Sequence, residues 1–318
     1  MATVNLRWMD SSGVLHSGDL AQLPDSRGAK WRWVDVMPVE EDTLRQLAVE
    51  FELHPLLVED ALHEQPRPKF DSFPDGSFIS WLYVLPSVDS QLLTGEIDAF
   101  IGSDYLITVH GAEVPQVLDV FQELSRQPTL GTDWLLHAIV DRLVDSLLPY
   151  VDELGDALDD IEDRLLDRPT TDDLQKLYTI RRRLVSLHRI ISPERDLIRG
   201  LARERNIVSE DAYRYFQDVG DHLAHVEDSI ETYRDVGAAA MDIYLSAQNN
   251  RMNEIMKQLT VVATIFMPLT LISGIYGMNL LRGMWPVPTG YWSFVLVIGS
   301  MISIATAMSL YFRRKQWW

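Results

Sequence analysis

From Leu259 through Met278 the chain carries no charged residue, and Asn279 follows at once. At ~1.5 Å of rise per residue, about 20 helical residues cross the ~30 Å hydrocarbon core of a bilayer. A second apolar run, Tyr291 to Phe312, begins after the short stretch 280–290. That stretch is too short for a domain, so the two runs form a hairpin with both outer ends on one side. Arg251 and Lys257 precede the first run, Arg313-Arg314-Lys315 follow the second, and the loop holds only Arg282. The positive-inside rule therefore predicts a multi-pass protein of the inner or plasma membrane with both termini cytoplasmic. Everything upstream reads as a large acidic body.

Formal net charge is -19, from 28 Lys and Arg against 47 Asp and Glu. Such a balance argues against nucleic acid, whose phosphates need a basic surface. It suits a protein that binds cations, and equally one that is kept soluble by acidity. The absence of cysteine excludes disulfides, zinc fingers and a thiol nucleophile. With no Gly-rich phosphate loop, no HExxH and no triad-like signature, nothing points to an enzyme. The opening MATVNLRWMD lacks the apolar core of a signal peptide.

Residues 1–130 read as an α/β domain. Strands are expected over Thr3–Met9, Lys30–Met37, Phe78–Leu85, Glu96–Ile101 and Tyr105–Val109, with a hairpin turn at Gly102-Ser103-Asp104. Helices are expected over Glu41–Phe51, after Pro55, and over Pro115–Arg126, in an order that sequence leaves open. Residues 131–208 read as a long helical pair. Leu, Ile and Val recur every three or four residues from Asp133 to Asp167, which predicts one continuous helix. Thr171, followed by Asp172-Asp173, caps the second helix, which runs towards Glu204. A third pattern opens near Ser209. If continuous to Ile275 it is roughly 100 Å long, which calls for packing against copies of itself. Residues 209–258 form its cytoplasmic stalk, 259–279 the first membrane helix, 280–290 the external loop, 291–312 the second membrane helix and 313–318 a basic tail.

Two helices cannot enclose a pore, since polar groups in lipid need partners. The first one carries Thr260, Thr264, Thr270 and Ser273 among its apolar residues. These hydroxyls can bond back to their own helix, join neighbouring helices, or line a pore made by several subunits.

Three stretches of the sequence, 253–260 (NEIMKQLT), 263–270 (ATIFMPLT) and 274–279 (GIYGMN), resemble the CorA family of magnesium and cobalt channels. The tripeptide Gly277-Met278-Asn279 is weak alone but strong at the outer end of the first of two C-terminal membrane helices. Residues 54–60 (HPLLVED), 67–69 (RPK) and 215–219 (YFQDV) resemble the family's cytoplasmic domain. The likeness covers most of the chain, residues 1–50 least.

The resemblance implies a homopentameric funnel in membrane lipid, with the long helices along its axis. It places Gly277, Met278 and Asn279 at the pore mouth, where five Asn279 carbonyls meet a hydrated divalent cation. Mg²⁺ gives up its waters reluctantly, so neutral acceptors can bond those waters without stripping them. Asn279 is also well suited to cap a helix. Asn253, Met256, Leu259, Met267 and Thr270 match pore-facing positions, although any such stripe also satisfies ordinary packing. Met256, Leu259 and Met267 would be apolar gates. Asp60 and Asp218 match a regulatory metal pair between subunits, with Glu59 and Asp141 near a second ion. Mg²⁺ is then both cargo and regulator, and Co²⁺ or Ni²⁺ further cargo.

Independently of the family, Asp218, His222 and His225 share one helix face, with Asp221 alongside. That is either a solvated surface or a set suited to Co²⁺, Ni²⁺ or Zn²⁺. The acidic stretch Asp152–Asp173 has no ligand spacing and reads as a charge reservoir. The loop departs from the family: Met284 is followed by Trp285-Pro286-Val287, with no carboxylate near the pore mouth. Two competing readings are a zinc transporter of the same superfamily, which typically replaces the Met of Gly-Met-Asn, and a non-conducting membrane-anchored cation sensor.

Overall fold

The computed structural model describes residues 2–63, 67–73, 76–85, 92–124, 131–167, 169–277, 291–315 and 317. Two compact units divide it, Met1–Met241 and Asp242–Trp318.

The first unit is built on a seven-stranded sheet: β1 (Thr3–Met9), β2 (Leu15–Gly18), β3 (Trp31–Met37), β4 (Lys69–Phe73), β5 (Gly76–Leu85), β6 (Leu93–Ile101) and β7 (Tyr105–His110). Spatial order is β2-β1-β3-β7-β6-β5-β4, antiparallel except where β7 returns beside β3 in parallel. That parallel step needs a crossover, supplied by α1 (Glu41–Glu50) and α2 (Pro55–Leu62). The central β3 is buried on both faces, so its sequence WRWVDVM shows no simple alternation.

Strand pairing sorts the side chains. Leu6, Val34, Val36, Ile107, Phe100 and Phe78 share one face and pack with Leu44, Leu47, Leu57 and Val58 of α1 and α2. The opposite face presents Trp33, Thr108 and Asp35, and meets α3 (Pro115–Glu123) through Phe121, 4.8 Å from Trp33. Here Trp33 Nε1 donates to Thr108 Oγ1 and Thr108 donates to Asp35 Oδ1, at 3.0 and 2.6 Å. His110 sets Nε2 2.9 Å from that same Oδ1 and Nδ1 2.7 Å from the Ala112 carbonyl. Burial pushes His110 down, but the Asp35 carboxylate and the Ala112 carbonyl outweigh it and raise its pKa.

Four long helices complete the unit. The helix expected over 133–167 is two helices, α4 (Thr132–Asp145) and α5 (Leu147–Asp167), parted at Ser146. The single helix took 133–167 to be free of Pro, but Pro149 stands within it: it lacks an N–H and its ring crowds the carbonyl four residues back, so α4 stops and α5 starts there. The second helix, α6 (Thr171–Leu201), is capped by Thr170 and not Thr171. A capping box needs a spacing of three, which Thr170 and Asp173 satisfy: Asp173 N–H donates to Thr170 Oγ1 at 3.2 Å, Thr170 N–H to Asp173 Oδ2 at 3.1 Å. The third, α7 (Glu210–Gly277), runs unbroken for 68 residues, through Pro268, with Ser209 Oγ accepting from Ala212 N–H at its start. Leu154, Leu158, Ile161 and Leu165 on α5, Leu177, Ile180, Leu184 and Leu187 on α6, and Ala212, Phe216, Val219 and Leu223 on α7 form buried stripes of three- and four-residue spacing. Such stripes pack helices side by side. Gly155 admits the Tyr233 ring: a Cβ there would sit 2.3 Å from Tyr233 Cζ. Asp152, Glu153, Asp156, Asp159 and Asp160 face solvent on α5.

Glu194 of α6 is fully buried against β5, its Oε1 accepting from Leu82 N–H at 3.2 Å and its Oε2 without a partner among the described residues. Burial raises its carboxyl well above the ordinary value. The folded chain holds a proton that the unfolded chain releases above about pH 4.3. The associated stability is complete below that pH and is lost as pH rises towards the folded value. Glu194→Gln should flatten the fall in melting temperature of the full chain between roughly pH 5 and 7.5. An unchanged slope would contradict a buried, protonated Glu194.

The second unit comprises the latter half of α7 and α8 (Tyr291–Arg314). The most apolar 18-residue windows of the two helices have a mean hydropathy of 1.9, yet only 6% and 0% of them is buried within the chain. That exposure separates them from core helices of a soluble protein and fits spans awaiting lipid or other subunits. Thr260, Thr264 and Thr270 donate to the carbonyls of Met256, Thr260 and Phe266, and Ser273 to that of Thr270, at 2.7–3.0 Å. Each hydroxyl is thus satisfied by its own helix. Tyr291 and Trp292 open α8, and Trp317 stacks on Phe312 beyond its basic end.

Candidate functional site

Acidic and histidine side chains from α4 and α7 meet in the first unit. Asp141, Asp145 and His222 offer ligand atoms within 4.8 Å of one another. His222 Nδ1 lies 3.7 Å from Asp145 Oδ1, and its Nε2 lies 3.8 Å from Asp218 Oδ2. Spacing explains the set. Asp141 and Asp145 are four apart on α4, as Asp218 and His222 are on α7, so each pair shares a helix face. Apolar residues set the approach: Phe216 and Tyr215 of α7 lie 5.4 and 5.6 Å from the His137 ring of α4, and Tyr215 lies 4.8 Å from Trp134.

Electrostatics follow from this packing. Partial burial raises Asp141, and the Asp145 charge adds to it, while His137, His222 and Arg142 oppose. Burial lowers His137, against the pull of Asp141 and Asp218. A divalent cation would relieve the carboxylate repulsion, and a mixed carboxylate–imidazole set suits Co²⁺, Ni²⁺ or Zn²⁺ as well as Mg²⁺.

Other expected site residues fall elsewhere. Asp60 lies on α2, where its Oδ2 accepts from Lys69 Nζ at 2.7 Å, and Lys69 also bonds Asp71 at 2.7 Å. Those two carboxylates raise the Lys69 pKa. Glu59 precedes Asp60 and is exposed, and its carbonyl lies 2.9 Å from His63 Nδ1. His225 is exposed on α7. Asn253, Met256, Leu259, Met267 and Thr270 are all exposed on α7 within the single chain. Gly277 is the last residue of α7, while Met278, Asn279 and the loop 280–290 lie outside the described residues. Asp145 was missed from sequence, though its spacing of four from Asp141 marks a second acid on one α4 face.

An α/β unit whose last helix continues as an apolar segment of membrane length, followed by a second such helix, defines a two-helix membrane protein with an acidic, cation-ready soluble part. Residues 28–314 match the family model of CorA-like Mg²⁺ transporter proteins. The chain is 32% identical over 292 residues to the cobalt/magnesium transport protein CorA of Thermotoga maritima, covering 90% of this chain and 83% of that one. It is 26% identical over 281 residues to the zinc transport protein ZntB of Cronobacter sakazakii, covering 86% and 84%. Its fold matches the complete CorA magnesium transporter of Methanocaldococcus jannaschii with a TM-score of 0.85 at 27% identity, over 100% of this chain and 99% of that one. The chain belongs to the CorA family, and so to transporters of divalent cations rather than enzymes.

Proposed function

We propose that this chain is one subunit of a homopentameric channel that carries Mg²⁺, and also Co²⁺ and Ni²⁺, into the cytoplasm. The observation that carries the reading is the continuity of α7, which bears Asp218 and His222 near one end and the apolar run to Gly277 at the other. Asn279 of several copies selects the hydrated ion at the outer mouth, and the exposed Asn253, Met256, Leu259, Met267 and Thr270 line the pore, the Met and Leu side chains closing it by excluding water. Both termini are cytoplasmic, in keeping with the basic residues that flank the spans. Thr270 contributes its methyl edge as much as its hydroxyl, since Oγ1 is already bonded to the Phe266 carbonyl.

Regulation follows from the acidic groups. Cytoplasmic Mg²⁺ joins Asp60 of one subunit to Asp218 of a neighbour, with Glu59 and Asp141 near a second ion. Its loss at low Mg²⁺ lets the subunits separate and the pore open. Asp60→Ala or Asp218→Ala should abolish Mg²⁺-dependent protection of the soluble part from protease; unchanged protection would remove this assignment. Zinc transport is the second reading, favoured by the His222–Asp145–Asp141 set and the ZntB relative, and opposed by Met278. The channel reading is tested in cells lacking their own Mg²⁺ uptake: expression should restore growth in low Mg²⁺, and no rescue by well-expressed protein would contradict it.

A further inference from the structure

A second acidic site lies inside the α/β unit, away from the α4–α7 cluster. Glu96 and Asp98 are two apart on β6, so both side chains stand on the sheet face that α1 and α2 cover. Ser80 of β5 sits directly opposite Asp98, and its hydroxyl donates to Glu96 Oε1 at 2.7 Å. The Glu96 carboxyl lies close enough to Asp98 to raise its pKa. Asp98 is only 4% exposed, and its Oδ1 has no hydrogen-bond partner among the described residues. Both acids line a cavity of about 440 Å³ together with Ala61, Tyr83, Thr94 and Val109.

Two neighbouring carboxyls, one of them buried, repel when both are ionised, and a cation between them relieves that cost. A buried carboxylate oxygen without a partner is costly, and one that lines a cavity has room for a ligand. The Lys69 ammonium is engaged elsewhere. Lys69 stands on the same sheet face opposite Ser80, but its Nζ bonds Asp60 and Asp71 at 2.7 Å each. Desolvation first, and then the Glu96 charge, push Asp98 up to about 8, which means that a proton fills the gap when nothing else does. A metal ion would displace that proton. The donors are carboxylate and hydroxyl oxygens with no thiol or thioether, a set that favours hard cations.

We propose that Glu96 and Asp98, with the Ser80 hydroxyl, bind a hard divalent cation of the Mg²⁺ or Mn²⁺ class within the α/β unit. The site belongs to one chain and needs no neighbouring subunit. When occupied it ties β5 and β6 together at the cavity wall.

The test uses the full-length protein in detergent and Mn²⁺, with free Mn²⁺ read by its paramagnetic resonance signal. Wild type is compared with Asp98→Asn and Glu96→Gln, each also on an Asp141→Asn/His222→Gln background that removes the α4–α7 set. Both variants should bind one Mn²⁺ fewer per chain, or bind it about tenfold or more weakly, on either background. Mg²⁺ should compete for that ion in wild type. Glu96 is only half-buried, so Glu96→Gln keeps the question answerable if Asp98→Asn folds poorly. Unchanged stoichiometry and affinity in a folded variant would assign the pair a proton alone and overturn the proposal. Binding is read without transport, so failure here leaves the channel reading intact, and a non-conducting protein would still show this site.

Discussion

Asn279→Ala should reduce Mg²⁺ flux through reconstituted protein by about tenfold or more while leaving folding and assembly intact. In the proposed channel, where the subunits' copies form a ring, the Asn279 amide is the one polar side chain that Gly277-Met278-Asn279 brings to an ion. Mg²⁺ demands near-ideal octahedral geometry and keeps its water, so the ring must bond water and not the metal. Alanine removes every acceptor at once. The loop makes the loss harder to absorb: Leu280 to Gly290 contains no acid and one Arg, so no neighbouring carboxylate gathers cations at the mouth. Asn279→Asp should behave differently. It keeps acceptors in place but adds one charge per subunit, which strengthens capture and slows release. Stopped-flow measurement with a Mg²⁺-sensitive dye separates the two, and full flux in Asn279→Ala would remove the selectivity role of this residue.

Phe216→Ala should damage both the stability and the cation cluster of the first unit. The side chain is wholly buried on α7 and meets the His137 ring edge-on at 5.4 Å. Truncating a buried Phe costs about 3–5 kcal/mol, through lost burial and the cavity left behind. The loss reaches the site because Phe216 sits two residues before Asp218 and one and a half turns before His222 and holds α7 against the helix that carries Asp141 and Asp145. A lowered melting temperature accompanied by weaker Co²⁺ binding is expected. Phe216→Leu, which keeps most of the volume, should recover much of both. Weakened binding without loss of stability would contradict this account of how the cluster is assembled.

Much of the fold was legible because its strongest signals are local. Among the described residues, six of the eight α-helices and five of the seven strands follow the expected positions, α4 and α5 share the one helix expected over 133–167, and the Gly102–Asp104 hairpin turn is present, with Gly102 N–H donating to the Tyr105 carbonyl. The strands passed over, β2 (LHSG) and β4 (KFDSF), are short sheet edges, too polar and brief to show a period. Strand order was out of reach because the β3–β7 pairing spans the whole of α1 to β6 in sequence. Pro149 broke a helix whose apolar repeat runs straight past it, since the stripe of Leu147, Val151 and Leu154 serves packing equally well on either side of the break.

The site was legible in halves. Asp218 and His222 are visible as a pair on one helix, and Asp141 through the family, but sequence spacing cannot show that α4 and α7 bring them together. Asp98 was invisible for a different reason. Alternation along β6 marks it only as a residue facing the core, and its meaning comes from burial and from Ser80 on the neighbouring strand. The threonines of the apolar run had compatible readings, bonds back to their own helix or a pore lining, and Thr260, Thr264 and Thr270 do donate to carbonyls of their own helix.

The central claim is that this chain assembles into a channel for Mg²⁺. Purified protein in liposomes, with a Mg²⁺ gradient and an inside-negative potential, tests it most directly when Mg²⁺, Co²⁺ and Zn²⁺ are compared side by side. Rapid Mg²⁺ entry well above that of empty liposomes is expected, with Co²⁺ entry alongside it and little Zn²⁺. Zn²⁺ entry with no Mg²⁺ flux, or no flux of any of the three, would contradict it.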